Sequence, residues 1–493
     1  MKKLAIVCDF LVEIGGAESV LRAVHELYPI APIYTSVYRH NVDFFFDQKL
    51  DVKTGKLNKY PAKLRRLLSP RRQKYFNNLD VSEYDVVLSI TGAEAKGTKA
   101  KKHICYCHVP TQYYWGKYQE YLKNPGFGLL DPLARLALKT NIKRLRRRDL
   151  EAASHPTKYL TDSTYAADEI EKYYHKTAKV IYPPVRTKIF KGVVKARAEQ
   201  IENLKQEIER NKSQAKSSKY NNIKSTTKQT RLNHYNITKS QELQIQKSEQ
   251  QIRTIPQSVE NFVPKLMLFK KHYVKTSLAA QVQNIVGDSF YLDYSRQVTW
   301  KRIDILIEAA IKANQPLVLV GDGPEHKNLV KLAKKLQPTV RPEIYLTKKL
   351  KRSSSLAKNQ KNETIEKIGL ITFISAQPQE RLAELLAGAR AFLFASLEPF
   401  GIAPVEALAA GCPVIAFGEG GAVDYVKPGK NGLLFPLQTA GSLAAVINDF
   451  EKLREDPKSF IYNPATISKS ADQFSETNFK RNMKKVIDAE LGK

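Results

Sequence analysis

The segment from Ala395 to Ala416, ASLEPFGIAPVEALAAGCPVIA, carries two glutamates eight residues apart, Glu398 and Glu406, with Gly401 between them and Pro404 close behind. Carboxylates of this kind accept hydrogen bonds from hydroxyl groups, such as those of a sugar or a ribose. Pro399 and Gly401 do not belong in a helix interior, which puts Glu398 in a loop. Pro404 suits a first helical turn, where its missing N–H would have no partner anyway. Val405 to Ala410 then reads as a short helix closed by Gly411, and Val414 to Phe417 as an apolar strand. The N–H groups of Gly401 to Ala403 face whatever lies ahead of that helix, and such a start favours an anion by roughly 0.3–2 kcal/mol. Glutamates beside an anion must face something else, and hydroxyls are the natural partners. Taken alone, the same residues fit a simple helix cap and a solvated loop charge equally well.

Residues like these need a scaffold that delivers several loops to one place. Lys3 to Phe10 is a short apolar strand, followed by Gly15-Gly16 and then helical spacing from Ala17 to Leu27. Strand, glycine turn and helix open a doubly wound domain, and the glycines let backbone approach a ligand. Further strands are expected at Ile33–Tyr38, Asp85–Ile90 and His103–Cys107, the last delivering His108 at its C-terminal end, where ligands of open α/β sheets collect. Leu129 to Ala153 reads as a long helix with a basic block, Lys143, Arg144, Arg146, Arg147 and Arg148. After Pro183-Pro184 the pattern breaks. It resumes at Phe290–Tyr294, Ser295-Arg296 and Trp300-Lys301-Arg302, then a helix from Ile303 and a strand ending in Gly321-Asp322-Gly323-Pro324. Strands alternating with helices demand parallel sheets. The predicted fold class is therefore α/β, with two Rossmann-like doubly wound parallel-sheet domains. The predicted domains are 1–190, a basic and largely disordered insertion over 191–287, and 288–469 with a second insertion at about 337–368. A C-terminal helix over about 470–493 is expected to pack back on the first domain.

The chain has 493 residues and a formal net charge of +31, so polyanionic surfaces and nucleotide phosphates should attract it. Between 191 and 287 there are 18 Lys and Arg against 7 Asp and Glu. The middle of that stretch, about 211–257, is polar without period, and VENFVPKLMLFKKHYV after it has the composition of a basic amphipathic helix. Nucleic-acid binding through this insertion is disfavoured by its few aromatics and by the lack of a recognition motif. The four cysteines, Cys8, Cys105, Cys107 and Cys412, form no zinc-like set and read as reduced core thiols. No run of about 18 apolar residues exists to span a membrane. The apolar start MKKLAIV, soon interrupted by Asp9 and Glu13, reads as a strand rather than a signal peptide.

In order along the second half, SRQVTWKRID, LVLVGDGPE, EPFGIAPVEALAAGCPVIAFGEGG and NGLLF resemble the nucleotide-sugar-binding half of family 4 retaining glycosyltransferases, which have the GT-B fold. In the first half CDFLVEIGGAESVL, ITGAEAKG, ICYCHVPTQYYW and KVIYPPV look like the mannosyltransferase branch of that family. Two departures stand out: Cys8-Asp9-Phe10 where the branch often has His-Asp-Trp, and Arg186 where an acid is usual after the PPV.

The resemblance implies a cleft between the two domains and a nucleotide-diphosphate sugar on the second. Arg296 and Lys301 would stabilise the leaving diphosphate, where fixed cations help the transition state most. Glu406 would hold the ribose hydroxyls, and Glu398 would face the donor sugar. Phe400, Gly401 and Ile402, together with Gly321, Gly15 and Gly16, would line the donor, and His108 would reach it from the opposite domain. Asp9 and Lys96 are candidates for the acceptor side. The catalytic set is thus His108, Glu398, Arg296 and Lys301. No metal or other cofactor is expected. The implied reaction is hexosyl transfer with retention to a lipid-linked or polysaccharide acceptor, with GDP-mannose the donor suggested by the branch. The implied location is cytoplasmic, peripheral on an anionic inner membrane face. The alternative is a nucleic-acid- or membrane-binding protein that uses the basic insertion on a non-catalytic GT-B scaffold.

Overall fold

The computed structural model describes residues 2–60, 69–196, 278–346, 364–456 and 463–492, apart from 124, 127 and 288, together with Ser459 and four positions between 199 and 210. Most of the basic insertion (211–277), including the VENFVPKLMLFKKHYV segment, and most of the second insertion (347–363) lie outside the described residues, as does any role assigned to them.

Seven strands form the first sheet: β1 (Leu4–Cys8), β2 (Ile33–Thr35), β3 (Val52–Thr54), β4 (Val86–Thr91), β5 (His103–Cys107), β6 (Lys158–Thr161) and β7 (Ala178–Val180). Their order is β3-β2-β1-β4-β5-β6-β7 and all pairs are parallel. β1, LAIVC, and β4, VVLSIT, are buried along their whole length. Such continuously buried, largely apolar runs suit parallel strands covered on both faces.

The second sheet contains β8 (Phe290–Tyr294), β9 (Leu317–Val320), β10 (Glu343–Leu346), β11 (Thr364–Ile368), β12 (Ile371–Ile374), β13 (Ala389–Phe394), β14 (Val414–Phe417) and β15 (Gly432–Phe435). The order is β10-β11-β12-β9-β8-β13-β14-β15. From β12 to β15 the pairs are parallel and repeat the winding of the first sheet; β10 and β11 are an antiparallel edge. The second insertion thus begins and ends in sheet structure, which its polar composition did not suggest. In each sheet the chain reverses its direction of winding beside the first strand, between β1 and β4 and between β8 and β13, and ligands gather at such switch points.

The helix Glu476–Leu491 returns to the first domain. Its Phe479, Met483 and Ile487 join the core built on β1 and β4. Its Asp488 accepts a 2.8 Å hydrogen bond from Tyr28, and Glu476 pairs with Arg22 at 3.2 Å. At its start Val185 N donates to Phe474 O and Glu476 N to Val185 O, so the outgoing and returning chains touch where they cross. All four cysteines are buried.

Candidate active site

Segments that follow the C-terminal ends of β1, β5 and β6 meet segments that follow β8 and β13 around a hollow of about 380 Å3. Gly16, His108 and Asp162 line it from the first domain, and Lys301, Glu398, Gly401, Ile402 and Glu406 from the second. A Cβ on Gly16 would lie 3.5 Å from Ile402 Cδ1, so the two domains approach closely here. The domains are also tied by Asp424, which accepts from Thr164 N at 2.8 Å and from its hydroxyl.

Gly401 has φ 86°, a backbone state that disfavours side chains, and a Cβ there would meet the Tyr425 hydroxyl at 2.9 Å. It turns the chain into the helix Ile402–Ala409, whose first-turn N–H groups have no intrahelical acceptor. The helix starts three residues before the expected Val405, so Glu406 lies in its second turn. There it is buried and lines the hollow. Tyr294 donates to its Oε2 at 2.6 Å and Gln379 to its Oε1 at 3.2 Å. Burial pushes Glu406 up to about 7, and Tyr294, Arg186 and Gln379 offset only part of that.

Glu398 lies in the loop expected for it. Its Oε1 accepts from Lys301 Nζ at 2.5 Å and from the Ser396 hydroxyl. Burial alone would raise Glu398, but the Lys301 ammonium prevails and holds it below the ordinary range. Asp293, at the buried end of β8, adds a second carboxylate near Lys301. Burial raises Asp293 to about 7, with Ser295 and Lys301 opposing and Glu398 reinforcing. One ammonium therefore serves two carboxylates, and the raised one holds its proton below about pH 7.

His108 Nδ1 lies 3.2 Å from Asp162 Oδ2, while the buried Nε2 has no hydrogen-bond partner among the described residues. Asp162 fixes the ring, and Nε2 is left for a ligand. Desolvation raises Asp162, and His108 counters it.

The other expected residues fall elsewhere. Arg296 does not line the hollow: its side chain is 65% exposed and its guanidinium faces Glu13 of the other domain at 3.7 Å. Gly321 does not line it either. Its φ of 140° and the 2.1 Å a Cβ would leave to Ser295 O give it a packing reason to be glycine. Gly15 stands just outside, beside Glu18. Phe400 reaches the hollow but is buried among Tyr182, Tyr425 and Phe474, with its carbonyl accepting from Tyr425. Lys96 is a correction to the acceptor assignment. Its side chain is 1% exposed and its ammonium is locked against Asp149 at 2.7 Å, so it faces the core rather than a ligand. Asp9 lines an adjoining cavity of about 800 Å3, which shares Ala17 and His108 with the hollow. Its oxygens are taken by Thr91 and by the N–H groups of Gly92, Glu94 and Ala95, which makes it an organiser of that loop.

Asp293, Tyr294 and Asp162 are the lining or supporting groups that reading the chain missed. An acid ending the apolar strand FYLDY was the available signal for Asp293. Among the described residues no three His, Cys, Asp or Glu side chains group as a metal site.

Residues 355–466 match the family described as Glycosyl transferases group 1. A D-inositol 3-phosphate glycosyltransferase of Nocardia farcinica is 36% identical over 89 residues, which is 17% of this chain and only 20% of that protein. Among solved structures, HepE of Anabaena in complex with UDP superposes with a TM-score of 0.55 at 16% identity, covering 99% of this chain and 100% of that one. The same protein with UDP-glucose gives 0.53 at 17%, with 99% of each covered. Sucrose-phosphate synthase of Thermosynechococcus elongatus gives 0.57 at 14%, with 100% of each covered. The fold is that of two-domain GT-B proteins.

Proposed function

We propose that this protein is a glycosyltransferase that moves a hexose from a nucleotide-diphosphate sugar to an acceptor hydroxyl, with retention at the anomeric carbon. One observation carries the reading: Lys301, Glu398 and Glu406 of one domain share a hollow with the free Nε2 of His108 from the other. The matched group 1 segment contains both glutamates.

The ribose hydroxyls donate to Glu406, which Tyr294 and Gln379 hold in place. The diphosphate lies toward Lys301 and the N–H groups of Gly401 and Ile402. Lys301 is balanced by Glu398, and Asp293 adds no second negative charge while protonated, so the site tolerates an anion. As the bond from the anomeric carbon to the phosphate oxygen breaks, charge grows on the diphosphate, and these fixed donors gain strength where it grows. Glu398 faces the sugar from one side and His108 Nε2 from the other. The acceptor oxygen bonds to the anomeric carbon on the face the diphosphate leaves, and its proton passes to the departing phosphate oxygen. This route asks for no covalent sugar on the enzyme and no metal ion. Arg296, exposed and outside the hollow, contributes only long-range positive charge.

The donor sugar is mannose from GDP-mannose on the branch resemblance, whereas the Anabaena neighbour was solved with UDP and UDP-glucose. A thermal-shift screen of UDP, GDP, UDP-glucose and GDP-mannose separates these, since a ligand at about 100 times its Kd stabilises by about 2.7 kcal/mol. Transfer is then measured with the donor that binds. Failure of every nucleotide to stabilise the protein, or equal binding by Glu406→Ala, would overturn the proposal.

We further propose peripheral docking on an anionic membrane at the cytoplasmic face. The helix Asp131–Ala153 exposes Leu133 and Leu136, 66% and 60% accessible, on the same rod as its basic block. Among the described residues no helix is long and apolar enough to cross a membrane.

A further inference from the structure

The 800 Å3 cavity beside the hollow is walled on one side by the helix Asp131–Ala153. Ala134, Leu138, Asn141, Leu145 and Arg148 recur there at three-to-four spacing, which puts them on one helix face. That face changes along its length, with Ala134 and Leu138 toward the N-terminal end and Arg144 and Arg148 toward the other. Val109 and Tyr114 stand among the lining from the first domain's own loops. The one carboxylate in the lining, Asp9, is spent on backbone N–H groups. Arg72 is committed to Glu94 at 2.8 Å, whereas Arg144 and Arg148 have no ion pair among the described residues. Outside, the apolar end of the same helix carries the exposed Leu133 and Leu136. The space is therefore apolar at the end where the helix surface is apolar, cationic at the other, and joined to the hollow at His108.

We propose that this cavity holds an anionic lipid, the acceptor of the reaction: its hydrocarbon chain lies against Ala134, Ala137 and Leu138, its phosphate at Arg144 and Arg148, and its head group points toward His108. The cavity assignment stands on its own geometry; the word acceptor rests on the transfer reading above. A free sugar or a polysaccharide would leave the apolar wall unused, and a chain without an anion would leave the two arginines unused.

Titration calorimetry of the full chain with dodecyl phosphate, ethyl phosphate and dodecanol, each below its micelle concentration, tests this. Dodecyl phosphate should bind at least about tenfold more tightly than ethyl phosphate, since even partial burial of ten further methylenes supplies that factor. It should also bind at least about tenfold more tightly than dodecanol, which lacks the charge. Leu138→Trp, with Ala134→Phe as the second choice if that variant misfolds, should erase the preference for the long chain. Arg144→Ala with Arg148→Ala should erase the preference for phosphate over alcohol. Equal affinity for the two phosphates, or a chain preference that survives both filling variants, would refute the assignment. So would loss of the preference in Leu136→Gln, which would place the chain outside the helix. Nucleotide binding is measured on the same samples. Lipid binding without any nucleotide binding would sink the transferase reading and spare the cavity; nucleotide binding with no chain preference would do the reverse.

Discussion

Replacing Glu406 by glutamine separates the charge of this side chain from its shape. Burial holds the carboxyl at about 7, against 4.5 in the unfolded chain. At about 1.36 kcal/mol per unit, that difference corresponds to roughly 3 kcal/mol. The folded value lies above the unfolded one, so the associated stability is fully present below about pH 4.5, declines as pH rises, and is lost above about pH 7. Glu406→Gln removes this slope while Tyr294 still finds an acceptor. Denaturation of the nucleotide-free protein at pH 5, 6, 7 and 8 should show the variant gaining on the wild type by up to about 3 kcal/mol toward pH 8. Nucleotide binding should move the opposite way. Ribose hydroxyls lose a charged acceptor, and hydrogen bonds to charged groups are worth roughly 1.5–3 kcal/mol, so Kd should rise about 10- to 100-fold. A ligand that prefers the carboxylate also expels its proton, and calorimetry near pH 6.5 in buffers of different ionisation enthalpy should record proton release in the wild type alone. A wild-type stability that ignores pH over this range, or nucleotide affinity equal in both proteins, would refute the placement of Glu406 as a desolvated carboxylate awaiting hydroxyls.

Lys301→Ala leaves the buried Asp293 and the partly buried Glu398 without their cation, and stability measured at pH 8 should fall by roughly 2–3 kcal/mol, below the full cost of breaking a buried pair because Glu398 keeps some contact with water, with partial rescue by Asp293→Asn. The same variant should lose about 10²- to 10³-fold in kcat, whereas Arg296→Ala, exposed and outside the hollow, should lose far less; the reverse order in steady-state assays would restore Arg296 to the centre. Asp162→Asn should leave nucleotide affinity near wild type and lower kcat by freeing the His108 ring, with a pH–rate profile altered in the acid limb; an unchanged profile would make Asp162 purely structural. Co-sedimentation with vesicles containing anionic lipid should weaken on replacing Lys143 and Arg147, at about 1 kcal/mol for each basic residue near the surface, and binding that ignores vesicle charge would reject docking.

Much of this architecture was written in the chain itself. Largely apolar runs such as LAIVC and VVLSIT have few fates other than buried parallel strands, and the first is followed by a helix of amphipathic spacing. Pro399, Gly401 and Pro404 force a loop and a helix start whatever the surroundings, because their backbone limits are local. Glu398 and Glu406 could be singled out for that reason. The neighbours of those residues were not legible. Arg296 and Lys301 are five apart and of like charge, yet one faces solvent and Glu13 while the other enters a pair of carboxylates. Lys96 lies in a motif-like stretch but turns inward to Asp149, which is distant in sequence. Asp293 reads as one polar residue in an apolar strand until Lys301 and Glu398 are folded beside it. Spacing along a chain fixes what backbone geometry controls. Charge state, burial and partnership depend on other segments, from one turn away to the opposite domain, and only the folding of each sheet with its loops, and the approach of the two domains, brings those segments within the few ångströms over which such forces act.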